Sequence, residues 1–114
     1  MTESEINIKV QLDAEKVPHQ ITWSASGSTA DAPQLAKAIS LAFWDSKDSS
    51  ALRIDLWTKD MMVDEMANFY FQVFTTMADT FEKATKHSEL TADIKKFAKE
   101  FHEKFTKLES EKNK

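Results

Sequence analysis

Hydrophobic and polar residues alternate strictly over residues 5–12. Ile6, Ile8, Val10 and Leu12 fall on one face, and Glu5, Asn7, Lys9 and Gln11 on the other. A period of two is the signature of a half-buried strand. Residues 13–18 read as a connection. Ile21, Trp23 and Ala25 then alternate with Thr22 and Ser24 as a second strand, close enough to the first for an antiparallel hairpin. After the loop Ser26-Gly27-Ser28-Thr29-Ala30, Asp31 is placed as an N-cap and Pro33 in a first helical turn. Leu35, Ala38, Ile39, Ala42 and Phe43 then share one face at helical spacing, so a helix is expected that stops near residues 45–47.

Leu52, Ile54 and Leu56 alternate with Arg53, Asp55 and Trp57, which predicts a third strand. Asp60 is expected to cap a long helix, with Asp64 and Glu65 complementing its dipole. Its apolar band includes Met62, Met66, Phe69, Tyr70, Val73, Phe74, Met77 and Phe81, and is wide enough to touch two neighbours. Beyond Lys86-His87-Ser88, a last helix carries Leu90, Ile94, Phe97, Phe101, Phe105 and Leu108 at spacings of 4, 3, 4, 4 and 3. That stripe slips from a strict heptad at Phe105, which favours packing on a globular neighbour over a long coiled coil.

The expected fold is α+β: a small antiparallel sheet of about three strands with helices packed on one face, in the order β-β-α-β-α-α. One domain spans residues 1–108, and residues 109–114 form a charged, frayed tail.

Composition narrows the chemistry. With Gly27 as the one glycine among 114 residues, no glycine-loop nucleotide site can be written. The chain has no cysteine, which removes disulfides, thiol catalysis and cysteine-based zinc sites. The opening Met1-Thr2-Glu3-Ser4-Glu5 is acidic, unlike a secretory signal, and no apolar run reaches the ~20 residues of a membrane span. A cytoplasmic location without membrane insertion is expected. A formal net charge of −4 disfavours nucleic acid as a partner.

Candidate catalytic sets are weak. His19, His87 and His102 are not at i,i+4 spacing and read as exposed polar residues. Asp60, Asp64 and Glu65 form the best carboxylate cluster, but acids at a helix start serve capping and the dipole. No nucleophile elbow or EF-hand loop is present. No catalytic residue, metal site or cofactor is therefore expected. The informative residues are aromatics on the polar side. Trp57 shares a strand face with Arg53 and Asp55, Trp44 lies opposite the apolar stripe of its expected helix, and Phe71 lies off the main band of the long one. Together Arg53, Asp55, Trp57, Trp44 and Phe71 are the candidate protein-binding surface.

Two runs carry a family resemblance. One is Leu52-Arg53-Ile54-Asp55-Leu56-Trp57-Thr58-Lys59-Asp60-Met61, continuing through Val63-Asp64-Glu65-Met66. The other is Met77-Ala78-Asp79-Thr80-Phe81-Glu82-Lys83-Ala84-Thr85. With Val17-Pro18, Ile21-Thr22-Trp23-Ser24-Ala25 and Phe43-Trp44-Asp45, they resemble the gliding-motility protein GldC family of Bacteroidota, over residues 5–105. The resemblance implies a small cytoplasmic accessory protein of the gliding machinery and transfers no catalytic or metal-binding motif. The leading expectation is a non-enzymatic assembly factor that binds another protein, or itself as a homo-oligomer. The alternative is a small-ligand module with an apolar cavity between sheet and helices, lined by Met62, Met66, Phe69 and Phe97. An open-sheet nucleic-acid platform built on Trp57, Lys9 and Arg53 ranks last.

Overall fold

A computed structural model describes residues 2–112. The α+β class stands, in the order β-β-β-β-β-α-α. The chain forms two compact units, one up to Met61 and one from Met62 onward.

The first unit is all β. β1 (Ile6–Leu12), β2 (Pro18–Ala25) and β3 (Gln34–Ala36) make an antiparallel sheet in that order. β4 (Ala38–Asp45) and β5 (Ser50–Trp57) make an antiparallel ribbon. The helix expected after Asp31 is therefore β3 and β4. The reason lies in the alanines. Counting Ala38 and Ala42 as apolar produces a helical stripe with Leu35, Ile39 and Phe43. Counting them as neutral leaves Ile39, Leu41 and Phe43 alternating with Ser40, Ala42 and Trp44. Ile, Phe and Trp favour the pleated surface, and β5 supplies the partner, with Leu41 opposite Ile54 and Ala42 opposite Arg53.

The turns are built by short polar side chains. Asp45 accepts the N–H of Lys47 at 2.9 Å, and Ser49 takes a left-handed conformation before β5 begins. Such Asx turns are why Asp and Ser are frequent between strands. In the β1–β2 connection Asp13 accepts the backbone N–H groups of Glu15 and Val17 at 2.8 and 3.0 Å. Its other oxygen meets Lys59 Nζ at 2.5 Å, which ties that turn to the segment after β5. At the opposite end Ser28 Oγ donates to Ala25 O at 2.7 Å and accepts from Ala30 N–H at 3.0 Å, closing the loop over buried Ala30. Ile21, on the middle strand β2, is fully buried.

The Asp13 clasp has a pH consequence. The bond from Lys59, and next those from the Val17 and Glu15 amides, lower the Asp13 carboxyl from 3.8 to about 2. A carboxyl depressed on folding contributes stability above its unfolded pKa and loses it as pH falls toward the folded one. Acid titration of thermal stability should therefore show a loss developing from about pH 4 down to about pH 2. Asp13→Asn should make that acid limb shallower while lowering stability at neutral pH. An unchanged limb in the variant would assign the acid sensitivity to other carboxylates.

The second unit is a helical hairpin. α1 (Val63–Thr85) and α2 (Ser88–Lys112) are separated by Lys86 and His87 alone. Lys86 adopts the left-handed C-cap conformation, with its N–H on Glu82 O at 2.9 Å. Asp60 is not the N-cap. That position is Met62, and Glu65 Oε1 accepts the Met62 N–H at 3.0 Å, so the reciprocal half of a capping box opens the helix. α2 continues through residues 109–112, and residues 113–114 of the expected tail lie outside the described residues.

The seam between the helices differs from the stripe the aromatic residues suggest. Ala78 and Ala98 are fully buried and Thr91 nearly so. Phe74 meets Phe101 at 5.4 Å between centroids, nearly perpendicular. Thr91, Ile94, Ala98, Phe101, Phe105 and Leu108 follow a strict 3-4 heptad, as do Ala67, Phe71, Phe74, Ala78, Phe81 and Thr85 in the opposite direction. The Phe74–Phe101 register places Ala78 level with Ala98, and Phe81 level with Ile94. A small layer, Ala78 with Ala98, thus sits between the larger Phe74–Phe101 and Phe81–Ile94 layers of an antiparallel, coiled-coil-like seam. Leu90 and Phe97 fall beside it and are half exposed. An ion pair from Lys95 to Asp79 at 2.7 Å bridges its flank.

Candidate functional site

The β4–β5 ribbon gathers four of the five candidate surface residues. Its register sets Trp57 opposite Ala38, Asp55 opposite Ser40, Arg53 opposite Ala42 and Ala51 opposite Trp44. Residues paired across a ladder share a face. Trp44, Arg53, Asp55 and Trp57 therefore project from the same side. Trp44 reaches that side because it belongs to a strand, so its polar-side placement survives the loss of its expected helix.

Each tryptophan stands opposite an alanine, which leaves its indole without a bulky cross-strand neighbour. Trp44 is 68% exposed and Trp57 55%. Six residues of strand separate the two ends of this face, a span of about 20 Å. Between them Arg53 grips Asp55 in a forked pair, Nε to Oδ2 at 3.2 Å and Nη2 to Oδ1 at 3.0 Å. The same Nη2 donates to Ser40 Oγ at 2.5 Å. The bonds from Arg53, then Ser40, hold the Asp55 carboxyl below its usual range. This pair is half exposed and contributes little stability. Its effect is to fix an oriented positive and negative charge between two indoles.

The opposite side of the ribbon is aliphatic and aromatic. Phe43, Leu52 and Ile54 are each about half exposed there. This second exposed surface was not singled out from the sequence, because Leu52, Ile54 and Leu56 were assigned to the core side of their strand. The ribbon thus exposes large apolar side chains on both of its faces.

Phe71, the fifth candidate, belongs to the helical unit. It lies on the α1 seam, with its ring 4.7 Å from that of His102 on α2. Of the residues expected to line an apolar cavity, Met62 is 61% exposed and Phe97 packs its ring on Phe74 at 5.5 Å.

A polar cleft in the β unit is lined by His19, Leu35, Lys37, Thr58 and Asp60. Thr58 is buried, donates its N–H to Lys37 O at 2.8 Å, and gives its hydroxyl to the Asp60 carboxylate. That bond, with the nearby charges of Lys37 and His19, lowers the Asp60 pKa. Asp60 is thus held ionised at neutral pH, the opposite of what a general acid requires. Asp64 and Glu65 are occupied at the start of α1, where Asp64 Oδ1 accepts the Glu65 N–H at 2.9 Å. Among the described residues no group of three histidines or acids is placed to hold a metal ion, and no helix is long and apolar enough to cross a membrane.

The fold and this geometry define a small α+β protein that displays two tryptophans and an ion pair on one sheet face. Residues 18–107 match the family model described as gliding motility-associated protein GldC-like. The chain belongs to that family, as the sequence resemblance implied. No curated protein and no solved structure matches it significantly.

Proposed function

We propose that this protein is a non-enzymatic, cytoplasmic assembly factor associated with the gliding machinery, and that it binds another protein through the Trp44, Arg53, Asp55 and Trp57 face. The observation that carries this reading is the arrangement of both indoles, exposed and about 20 Å apart, on either side of a fixed charge pair. Tryptophan and arginine are the side chains most enriched at interface hot spots. A flat strip of that length matches an extended segment of about six residues or a short helix. The neighbouring charges would orient the partner, and the indoles would supply the buried area.

Trp57→Ala and Trp44→Ala test it. Each indole is largely in solvent, so each variant should melt close to the parent protein. Each should weaken partner capture by more than about 1 kcal/mol, a drop of at least fivefold in affinity. The measurement is affinity capture from the native organism with quantitative mass spectrometry, alongside a melting curve. Both variants retaining the full set of captured proteins would rule out this face as the partner surface.

A further inference from the structure

We propose that β5 pairs along its outer edge with β5 of a second copy of this chain, antiparallel about Ile54, to form a symmetric four-stranded sheet. This goes beyond the tryptophan face as a partner surface, because it uses the strand's edge and leaves that face open.

The backbone sets which groups are available. β5 has a single ladder partner, β4, so its other side is an edge. Thr58 N–H donates to Lys37 O at 2.8 Å, one step beyond the Ala38–Trp57 pair. Antiparallel pairs alternate between those that exchange hydrogen bonds and those that do not. Leu56, Ile54 and Leu52 therefore spend their backbone groups on β4. Ala51, Arg53, Asp55 and Trp57 direct theirs to the outer edge.

A second β5 must set outward groups against outward groups. Only a few registers do so with useful overlap. Centring the pair on Arg53 opposes two arginines, and centring it on Asp55 opposes two aspartates. Centring it on Ile54 places Arg53 of each copy opposite Asp55 of the other, twice by symmetry. The same register sets Ala51 opposite Trp57, small against large, and on the other face Leu52 opposite Leu56 and Ile54 opposite itself. The strand is thus self-complementary in charge, size and hydrogen bonding about one axis, which is what an isologous interface needs.

The ribbon also has a reason to pair. Two strands alone are marginal, and a long edge with apolar side chains is a template for another strand. Pairing would join the half-exposed Phe43, Leu52 and Ile54 of both copies into one continuous apolar surface.

The test is light scattering on the full chain over a concentration series. The parent protein should reach twice its 13.0 kDa mass. Arg53→Asp and Asp55→Arg each oppose like charges and should weaken the dimer by about tenfold or more. Mixing the two single variants sets opposite charges against each other only between chains and should restore a heterodimer while each chain's own pair stays broken, an outcome that simple loss of a surface pair would not produce. Ala51→Pro removes an outward N–H while sparing the β4 ladder, and serves if a charge variant fails to fold. Trp44→Ala should leave the mass unchanged, so the dimer and the partner face can fail separately. In the parent protein the Arg53 and Asp55 amides should exchange with solvent more slowly as concentration rises. A parent chain that stays at 13.0 kDa throughout, or a dimer indifferent to Arg53→Asp and Ala51→Pro, would overturn the proposal.

Discussion

Phe101→Asp should cost about 3 kcal/mol or more, a large part of the roughly 5–15 kcal/mol that stabilises a small domain. The ring is half-buried on the α2 seam, perpendicular to Phe74 at 5.4 Å and within 6.2 Å of Phe97. The substitution removes both aromatic contacts and directs a carboxylate at the Phe74 ring. Phe101→Leu separates the two contributions, since it keeps an apolar side chain and loses the ring with part of its volume. It should cost less than about 1.5 kcal/mol. Chemical denaturation of the full chain, followed by helical circular dichroism, measures both. A Phe101→Asp protein whose midpoint stays at the parent value would mean that α2 is not held by this seam.

The helical hairpin was largely legible in the sequence, and its seam was not. Long amphipathic runs announce helices whatever packs on them, so the existence of both was clear. The stripe drawn through Leu90, Phe97 and Phe101 follows the largest side chains. Antiparallel helices packed closely are organised instead around their smallest residues, and Ala98 and Thr91 carry little weight in a count of hydrophobicity. Reading 91, 94, 98, 101, 105 and 108 as one series removes the apparent slip at Phe105. The same bias produced the error at residues 34–45, in the opposite sense, because there two alanines were given the weight of core residues. The strand character lay in the polar and aromatic positions between them. Trp44 is the instructive case. It lies opposite the middle of the apolar stripe in a helix, and in the observed strand it lies on the face opposite Ile39 and Phe43. Its neighbours on that face, Arg53 and Asp55, could be found only after pairing with β5 was known. Strand register is a property of two segments and is not written in either alone. Phe71 shows the converse, because its exposure was inferred from a band centred on the wrong side of α1.

Ala98→Leu should be the most damaging conservative change in the helical unit. Leucine forms helix nearly as well as alanine, so propensity contributes almost nothing to the outcome. Ala98 is fully buried, and the seam register sets it level with Ala78, also fully buried. Two alanines at one level allow the backbones to approach closely, toward the short end of the 8–10 Å range of helix packing. Three further carbons there have no free volume to enter. They force the helices apart and pull the neighbouring Phe74–Phe101 layer out of its 5.4 Å contact. A cost of about 3 kcal/mol is expected, at the upper end for an overpacked core. Ala78→Leu should cost a similar amount. Once one leucine has separated the helices, a second meets a wider gap, so the double variant should lose less than the sum of the singles, by about 1 kcal/mol. Ala98→Ser adds a single atom and should lose far less. Denaturant midpoints for the three leucine variants provide the cycle. Strict additivity would show that residues 78 and 98 do not share a layer, and a neutral Ala98→Leu would show that the helices are not in close contact there.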